Sequence, residues 1–201
     1  MQGLRERQKQ RRRERILRTA IELFKERGFQ QTTALDIAKA SHVSRGTFFN
    51  YYPYKEAVLL HYGAELLELA WNEAKAELER GTPPVEVLEA FWNRLAELSE
   101  RDLGRELLSH LVYELVNPDP ERAHTAYEAL PMAQYIAEIL RPLQASGKLR
   151  SDLSLDRMAN SIADAFLLAV LRWAGHAPER SLTAELQKFL TIVLEGVLAR
   201  S

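Results

Sequence analysis

The chain of 201 residues is 46% hydrophobic and 27% charged, which suits a hydrophobic core in one or two domains. It contains no cysteine, and this excludes disulfides, thiolate metal sites and thiol catalysis. The net charge of −1 is unevenly spread, with +7 on residues 1–62 and −8 on residues 63–201, so the composition predicts a basic end that meets a polyanion and an acidic body that does not.

Three short helices are predicted in the basic N-terminal part. The first covers residues 12–27 and shows an apolar stripe with helical spacing. Thr33 is predicted to cap the second helix, with Asp36 three residues later completing a variant of the capping box. Ser44 is predicted to cap the third helix after a tight turn. Three helices in this arrangement are typical of a helix-turn-helix domain.

Six further helices are predicted in the rest of the chain. Their ranges are 55–79, 82–99, 102–116, 120–146, 155–174 and 182–199. Thr82 and Ser181 are expected to act as N-caps, and Pro131 and Pro142 to kink or break the helix that contains them. No segment has the alternating pattern of a strand. The sequence therefore predicts an all-α fold of about nine helices, with an N-terminal domain at 1–62 and a larger helical domain at 63–201.

The third helix carries aromatic residues on two faces. Phe48 and Tyr52 lie one helical turn apart, and this spacing favours packing in the small core. The opposite face carries Arg45, Gly46, Phe49 and Asn50. An exposed Phe49 among polar neighbours indicates a surface that meets a partner.

Two segments between residues 12 and 62 carry a family signature. They read "ELFKERGFQQTT" and "DIAKASHVSRGTFFNYYPYKEAVL". Together they resemble the N-terminal domain of the TetR family of bacterial transcriptional regulators. One departure is His42, which stands where the family usually has glycine in the turn; histidine tolerates the left-handed conformation better than most side chains, so we expect the turn to be kept.

The resemblance implies that helix 44–52 enters the major groove of DNA. Arg45 is expected to pair with guanine, Gly46 to allow close backbone approach and Phe49 to pack on a thymine methyl group. Further contacts to phosphates or bases are expected from Thr33, Ser44, Thr47, Asn50, Tyr51 and Lys55. The basic arm (residues 1–13), with Arg11, Arg12 and Arg13, is expected to be a solvated tail that orders in or along the minor groove.

For the larger domain, the resemblance implies dimerisation and a ligand pocket. Helices 155–174 and 182–199 are apolar on more than one side, which agrees with a homodimer interface and a palindromic operator. The effector is expected to contact some of Trp92, His110, Tyr113, Tyr127, Tyr135, Asn160, Phe166 and Trp173. For each of these, packing in the core or the interface is the alternative.

The nature of the effector is suggested by a second resemblance. The extended start "GLRERQKQRRRERIL" together with "TFFNYY" resembles a TetR subgroup that includes acyl-CoA-responsive regulators of lipid metabolism. We therefore expect a repressor that a small hydrophobic effector, such as a long-chain fatty acyl-CoA, releases from its operator. The alternatives are another hydrophobic or drug-like ligand, a DNA-binding activator, or a non-specific architectural DNA-binding protein.

Catalysis and membrane insertion find no support in the sequence. It has no phosphate-binding glycine loop, no G-x-S-x-G and no H-E-x-x-H, and its five histidines lack metal-ligand spacing, so no enzyme, metal or cofactor is expected. The longest apolar run, "AFLLAVL" at 165–171, is far shorter than the roughly 18 residues that span a bilayer. We expect a cytoplasmic protein without a membrane partner.

Overall fold

The computed structural model describes residues 2–176 and 180–198, and ten α-helices account for most of them. The helices are α1 (Gln2–Arg27), α2 (Ala34–Ala40), α3 (Arg45–Tyr51), α4 (Glu56–Glu79), α5 (Pro84–Asp102), α6 (Gly104–Leu115), α7 (Pro120–Ala129), α8 (Met132–Ala145), α9 (Leu155–His176) and α10 (Leu182–Val197). The described residues contain no strand, only an isolated bridge between Leu149 and Leu198. The all-α class is confirmed.

The chain divides into two compact units, Met1–Gly63 and Ala64–Ser201. α4 begins in the first unit and ends in the second, so one continuous helix belongs to both. The first unit otherwise consists of α1, α2 and α3, and the second of α5 to α10.

The caps predicted for the helix-turn-helix are present. The Thr33 hydroxyl accepts the backbone N–H of Asp36 at 3.2 Å, and the Asp36 carboxylate accepts the backbone N–H of Thr33 at 3.0 Å. The Ser44 hydroxyl accepts the backbone N–H of Thr47 at 3.0 Å. Between the two helices, His42 adopts a φ of 53°. These local interactions fix where α2 and α3 begin.

The first helix is longer than the sequence pattern predicted. It begins at Gln2 rather than near residue 12, so the basic arm is helical and not the expected tail. The physical reason is composition: after Gly3 the arm consists of Leu, Arg, Glu, Gln and Lys, all good helix formers, and no proline interrupts it. Apolar periodicity does not reveal this segment because the side chains of residues 3–12 are all exposed.

Two prolines predicted to interrupt one helix behave differently, and this gives ten helices instead of about nine. Leu130, which precedes Pro131, has a non-helical φ of −122° and ψ of 73°, and α7 and α8 are separate. Pro142 lies in the last turn of α8, where it removes the N–H that would donate to the Glu138 carbonyl, and the helix continues through it to Ala145.

The N-caps predicted in the larger domain have mixed outcomes. The Ser181 hydroxyl accepts the backbone N–H of Ala184 and caps α10 as expected. Thr82 was wrongly predicted as a cap: it donates to the Glu77 carboxylate at 2.9 Å, and α5 begins after Pro83. The predicted end of the last helix, residue 199, lies outside the described residues.

In the second unit, α9 packs against α8 and α10, and α10 packs against α5. Each of α9 and α10 also leaves a large apolar side chain exposed, with Leu168 54% and Ile192 69% accessible. Isolated exposed apolar residues are ordinary, but two on the helices predicted to dimerise agree with a surface that a second copy covers. No helix among the described residues is long and apolar enough to cross a membrane.

α6 and α7 form a hairpin joined by a buried ion pair. The guanidinium of Arg122 donates to one Glu114 carboxylate oxygen at 2.7 and 3.0 Å. The Glu114 side chain is 2% exposed and that of Arg122 is 32% exposed. The hairpin therefore holds the Glu114 carboxylate away from water, and Arg122 neutralises its charge.

Candidate nucleic-acid interface

The third helix separates its side chains as the sequence predicted. Phe48 and Tyr52 are buried, and their rings pack 5.9 Å apart. Arg45, Gly46, Phe49 and Asn50 are exposed, whereas Thr47 and Tyr51 are partly buried. One face of α3 therefore holds the small unit together and the other is available to a partner.

The exposed face of α3 is partly ordered before any partner binds. The Arg45 guanidinium lies 5.6 Å from the centre of the Phe49 ring, a cation–π distance. A Cβ added at Gly46 would meet only the Ser44 hydroxyl, at 3.9 Å. Packing within the chain therefore does not require glycine at position 46. The absence of a side chain leaves open space on the outer face of α3, where the backbone of a partner can approach.

The hydroxyl of Thr33 is already occupied in the free protein. Besides capping α2, it donates to the Asp36 carboxylate at 2.5 Å. This contact, with the backbone bond of the capping box, lowers the pKa of Asp36. The resulting carboxylate disfavours an anion at this helix start, so a phosphate contact by Thr33 would compete with the cap.

Lys55, which the sequence predicted to contact a phosphate or a base, is held inside the first unit when DNA is absent. Its ammonium group donates to the backbone carbonyl of Phe29 at 2.7 Å and lies 3.9 Å from the centre of the Phe29 ring. Burial lowers the pKa of the Lys55 ammonium group. Lys55 thus ties the start of α4 to the segment that joins α1 and α2.

Replacing Lys55 by methionine is expected to destabilise the free protein by about 1–2 kcal/mol, because a charged hydrogen bond is lost while the apolar stem remains. Urea unfolding followed by circular dichroism without DNA measures this. Lys39→Met, which removes an exposed lysine of α2, is the matched control. An unchanged free energy of unfolding for Lys55→Met would show that this contact contributes nothing to the fold.

Arg13 is also engaged within the unit, so it differs from Arg11 and Arg12, which are exposed. Its guanidinium lies 3.2 Å from Nδ1 of His61 on α4, and its backbone carbonyl accepts the Tyr52 hydroxyl at 3.4 Å. An arginine can only donate, so the His61 ring must be neutral with its proton on Nε2. Sequence reasoning missed His61, because 48 residues separate it from Arg13 and no spacing marks the pair.

Burial, and after it the charge of Arg13, lowers the pKa of His61; Arg18 acts in the same direction and Glu14 opposes it. In the unfolded chain His61 binds a proton below about pH 6.5, whereas in the folded protein it does so only at lower pH. The contribution of neutral His61 to the free energy of unfolding is therefore fully present above about pH 6.5, and it is lost as the pH falls through that value toward the folded pKa.

We expect His61→Asn, which keeps a neutral acceptor, to lose less stability than the wild type between pH 7.5 and 5.5. Urea unfolding at several pH values measures the difference, and the carboxylates common to both proteins cancel. Parallel pH profiles would contradict a neutral, half-buried His61.

The structure places the predicted effector residues in different environments. Trp92 and Phe166 are buried and contact each other edge to face at 5.2 Å. The Trp92 indole N–H has no hydrogen-bond acceptor among the described residues. The buried Trp173 has other contacts: its N–H donates to the Arg180 carbonyl at 2.8 Å, and the Arg105 guanidinium lies 4.0 Å from its ring centre.

The other predicted effector residues are more accessible. Tyr113 and Tyr127 are exposed, His110 is partly buried, and Tyr135 stacks on Trp71 with 4.6 Å between ring centres. Asn160 is exposed, and its amide donates to the Asp156 carbonyl one turn earlier in α9 at 2.7 Å. Asn160, predicted as a candidate effector contact, lies on the surface because its helix turns Ala159, rather than Asn160, toward the core.

A groove of about 640 Å³ lies between α4 and α5 in the second unit. Its lining includes Leu69, Ala70, Ala74, Phe91, Glu73, Glu77, Arg80 and Arg94. The two arginines are paired with carboxylates, Arg94 with Glu73 and Arg80 with Glu77. None of the eight predicted effector residues, all within the described part of the chain, lines this groove.

Comparisons with known proteins agree with this architecture. A family model for the C-terminal domain of TetR/AcrR family transcriptional repressors matches residues 64–196, and a model for bacterial regulatory proteins of the tetR family matches residues 16–62. The chain is 25% identical over 188 residues to the transcriptional repressor KstR2 of Mycolicibacterium smegmatis, covering 92% of this chain and 90% of that one.

Solved structures give a similar result. FadR of Thermus thermophilus, a TetR family transcriptional repressor in complex with lauroyl-CoA, is 56% identical, with a TM-score of 0.86 over 94% of this chain and 96% of that one. FadR of Bacillus subtilis, in complex with stearoyl-CoA, is 21% identical and shares the fold, with a TM-score of 0.69 over 90% of this chain and 97% of that one. The chain therefore belongs to the TetR/AcrR family of transcriptional repressors.

Proposed function

We propose that this protein is a transcriptional repressor that binds a palindromic DNA operator as a homodimer and is released by a fatty acyl-CoA. The observation that carries the proposal is the 56% identity, over nearly the full length of both chains, to a repressor whose structure contains lauroyl-CoA. Because DNA of a bacterial cell lies in its cytoplasm, the protein would act there.

The DNA contact follows from the two faces of α3. The exposed Arg45, Phe49 and Asn50 can reach base edges in the major groove, while the buried Phe48 and Tyr52 hold the helix in place. TetR-family repressors bind DNA operators as dimers. A twofold dimer through α9 and α10 would cover Leu168 and Ile192 and present two copies of α3 to two half-sites.

For the effector, the second unit offers an apolar interior with few polar groups. The buried pair of Trp92 and Phe166 is a candidate contact for an acyl chain, and the free Trp92 N–H can donate to a polar atom of the same ligand. An effector that binds one conformation of the second unit more tightly shifts the population toward it. α4 is the element through which the first unit would respond, since the helix is common to both.

The first test is selection of duplexes from a randomised library with the full-length protein. We expect a palindromic sequence whose affinity exceeds that of random duplex by roughly a thousandfold or more. Comparable affinity for selected and random duplexes would instead identify a non-specific architectural protein. Transcription in vitro from a promoter that carries the selected site distinguishes repression from activation.

The second test adds lauroyl-CoA, free CoA or laurate to the complex with the selected duplex. We expect lauroyl-CoA to weaken operator binding by about 5- to 150-fold, the usual range of coupling between sites, and the other two to have little effect. No response to acyl-CoA of any chain length would point to another hydrophobic or drug-like effector. We also propose that the protein acts by binding alone, so mass spectrometry should recover lauroyl-CoA unchanged.

A further inference from the structure

The basic arm carries its cations on two opposite faces of α1. Arg5, Lys9 and Arg12 follow one another at spacings of four and three residues, which places them on one stripe. The same spacing continues to Ile16 and Ala20, which are buried in the first unit. All three cations are exposed, so they extend the inward face of α1 beyond the point where the protein covers it.

The other stripe of the arm lies on the α4 side of α1, because the guanidinium of Arg18 on this stripe lies 5.3 Å from the centre of the Tyr62 ring of α4. It consists of Arg7 and Arg11 and continues to Glu14 and Arg18, which form an ion pair with each other. The arm therefore contains two sets of cations that are close in sequence but differ in direction.

The inward stripe adjoins the end of the recognition helix. Tyr52, the C-cap residue of α3, donates its hydroxyl to the Arg13 carbonyl, and the Arg13 guanidinium lies 5.9 Å from the centre of the Tyr52 ring. On the neighbouring side of α1, the Arg15 Nε donates to the Ser41 carbonyl in the turn before α3 at 3.1 Å. The arm thus leaves the unit beside the helix-turn-helix, with Arg5, Lys9 and Arg12 turned toward that side.

Helical structure decides which part of DNA the arm can contact. An α-helix with side chains is about 10–12 Å wide, whereas the minor groove is about 6 Å wide. The arm as a helix is therefore too wide to insert into the minor groove, which leaves contacts to phosphates along the duplex as the way its cations can meet DNA. From Arg12 back to Gln2 the helix extends about 15 Å, which corresponds to four or five base pairs at about 3.4 Å each.

We propose that the helical arm is a second DNA-contacting surface, on which Arg5, Lys9 and Arg12 bind phosphates of the duplex flanking the half-site read by α3. This rests on the proposed operator binding. Phosphate contacts carry no sequence information, so the surface adds affinity and salt dependence without adding specificity. Arg13 is a positioning residue in this arrangement, because His61 and Tyr52 hold it in the unit.

The test compares two double variants of the full-length protein that remove the same charge. Arg5→Ser/Lys9→Ser removes two of the three cations of the inward stripe, and Arg7→Ser/Arg11→Ser removes the two exposed arm cations of the stripe on the α4 side. Each is titrated at several salt concentrations with three duplexes: the selected palindrome alone, the palindrome extended by about six base pairs on each side, and a random sequence of the longer length.

On the extended palindrome and the long random duplex, Arg5→Ser/Lys9→Ser should give a slope of log K against log salt that is shallower by about 2–4, at about 0.9 for each lost contact in a dimer. On the selected palindrome alone, the slope of log K against log salt for Arg5→Ser/Lys9→Ser should equal that of the wild type. Arg7→Ser/Arg11→Ser should change none of the three slopes by more than about 1.

Equal slope changes for the two variants would overturn the assignment of the inward face. If Arg5→Ser/Lys9→Ser changes the salt slope equally on the selected palindrome alone and on the extended palindrome, or changes it on neither, the proposed flanking contact is wrong. Failure of operator recognition gives a separate result: the wild type would then bind the extended palindrome and the random duplex with similar affinity, while the slope difference between variants on the long duplexes would still report on the arm.

Discussion

Replacing Arg45 by alanine is expected to weaken binding to the selected operator by at least about 30-fold while affinity for random duplex changes by less than about threefold. A bidentate arginine–guanine contact contributes about 1–3 kcal/mol of discrimination, and a dimer makes two of them. The exposed guanidinium, lying beside the Phe49 ring, is positioned for that role before DNA arrives. Fluorescence anisotropy with both duplexes at one salt concentration measures the two affinities.

The informative quantity is the ratio of the two affinities, because any lost cation weakens DNA binding to some extent. Lys25→Ala, which removes an exposed cation from the last turn of α1, serves as the control and should leave the ratio unchanged. A repeated library selection with Arg45→Ala should relax the preference at one position in each half-site. If Arg45→Ala weakens operator and random duplex equally, its assignment to base recognition is wrong.

Replacing Arg122 by alanine is expected to lower the free energy of unfolding by about 2–4 kcal/mol. Removing one partner of a buried ion pair leaves the other charge unneutralised, at a typical cost of about 3–5 kcal/mol. We expect the lower part of that range because Arg122 is about one-third exposed and water can partly replace it. Urea unfolding followed by tryptophan fluorescence suits this measurement, since the three tryptophans all belong to the second unit.

The matched control is Arg141→Ala, which breaks a solvent-exposed pair with Glu138 and should leave the free energy of unfolding almost unchanged. The double variant Glu114→Gln/Arg122→Met removes both charges and should recover part of the stability lost in Arg122→Ala. Equal costs for Arg122→Ala and Arg141→Ala would contradict the importance of burial at Glu114.

Local signals in the sequence were sufficient to predict the caps and core residues of the helix-turn-helix and the cap of α10. Thr33, Ser44 and Ser181 are caps because a short hydroxyl side chain precedes a helical apolar stripe, and each of these interactions lies within four residues. Phe48 and Tyr52 are core residues for a similarly local reason, their spacing of four. Such features can be predicted because both partners are visible in one window of sequence.

Contacts between distant segments could not be predicted in the same way. Lys55 is 26 residues from Phe29, and Arg13 is 48 residues from His61. Nothing in the local pattern indicates that a basic residue at either place donates inward rather than to a phosphate. The family resemblance assigned Lys55 to DNA. In the structure its ammonium group donates to a backbone carbonyl, and because every residue has such a carbonyl, the sequence does not identify the acceptor.

The candidate effector region was the least predictable part. Tyr113 and Tyr127 resemble pocket residues by composition, yet they lie exposed on α6 and α7, whereas Trp92 and Phe166 meet in the interior. Which aromatic residues become buried depends on how the helices of the second unit cross. That arrangement is determined by many weak apolar contacts and not by any motif.

Before it reaches its operator, a repressor meets a very large excess of other sequences, to which it binds through phosphates alone. An arm that is already helical when DNA is absent presents Arg5, Lys9 and Arg12 at fixed spacing, so that no ordering entropy is lost at each encounter. If the arm binds phosphates as proposed, these cations exchange one phosphate for the next as the protein slides along the duplex. In the proposed arrangement, the long first helix would therefore set how quickly the operator is found as well as contributing to how tightly it is held.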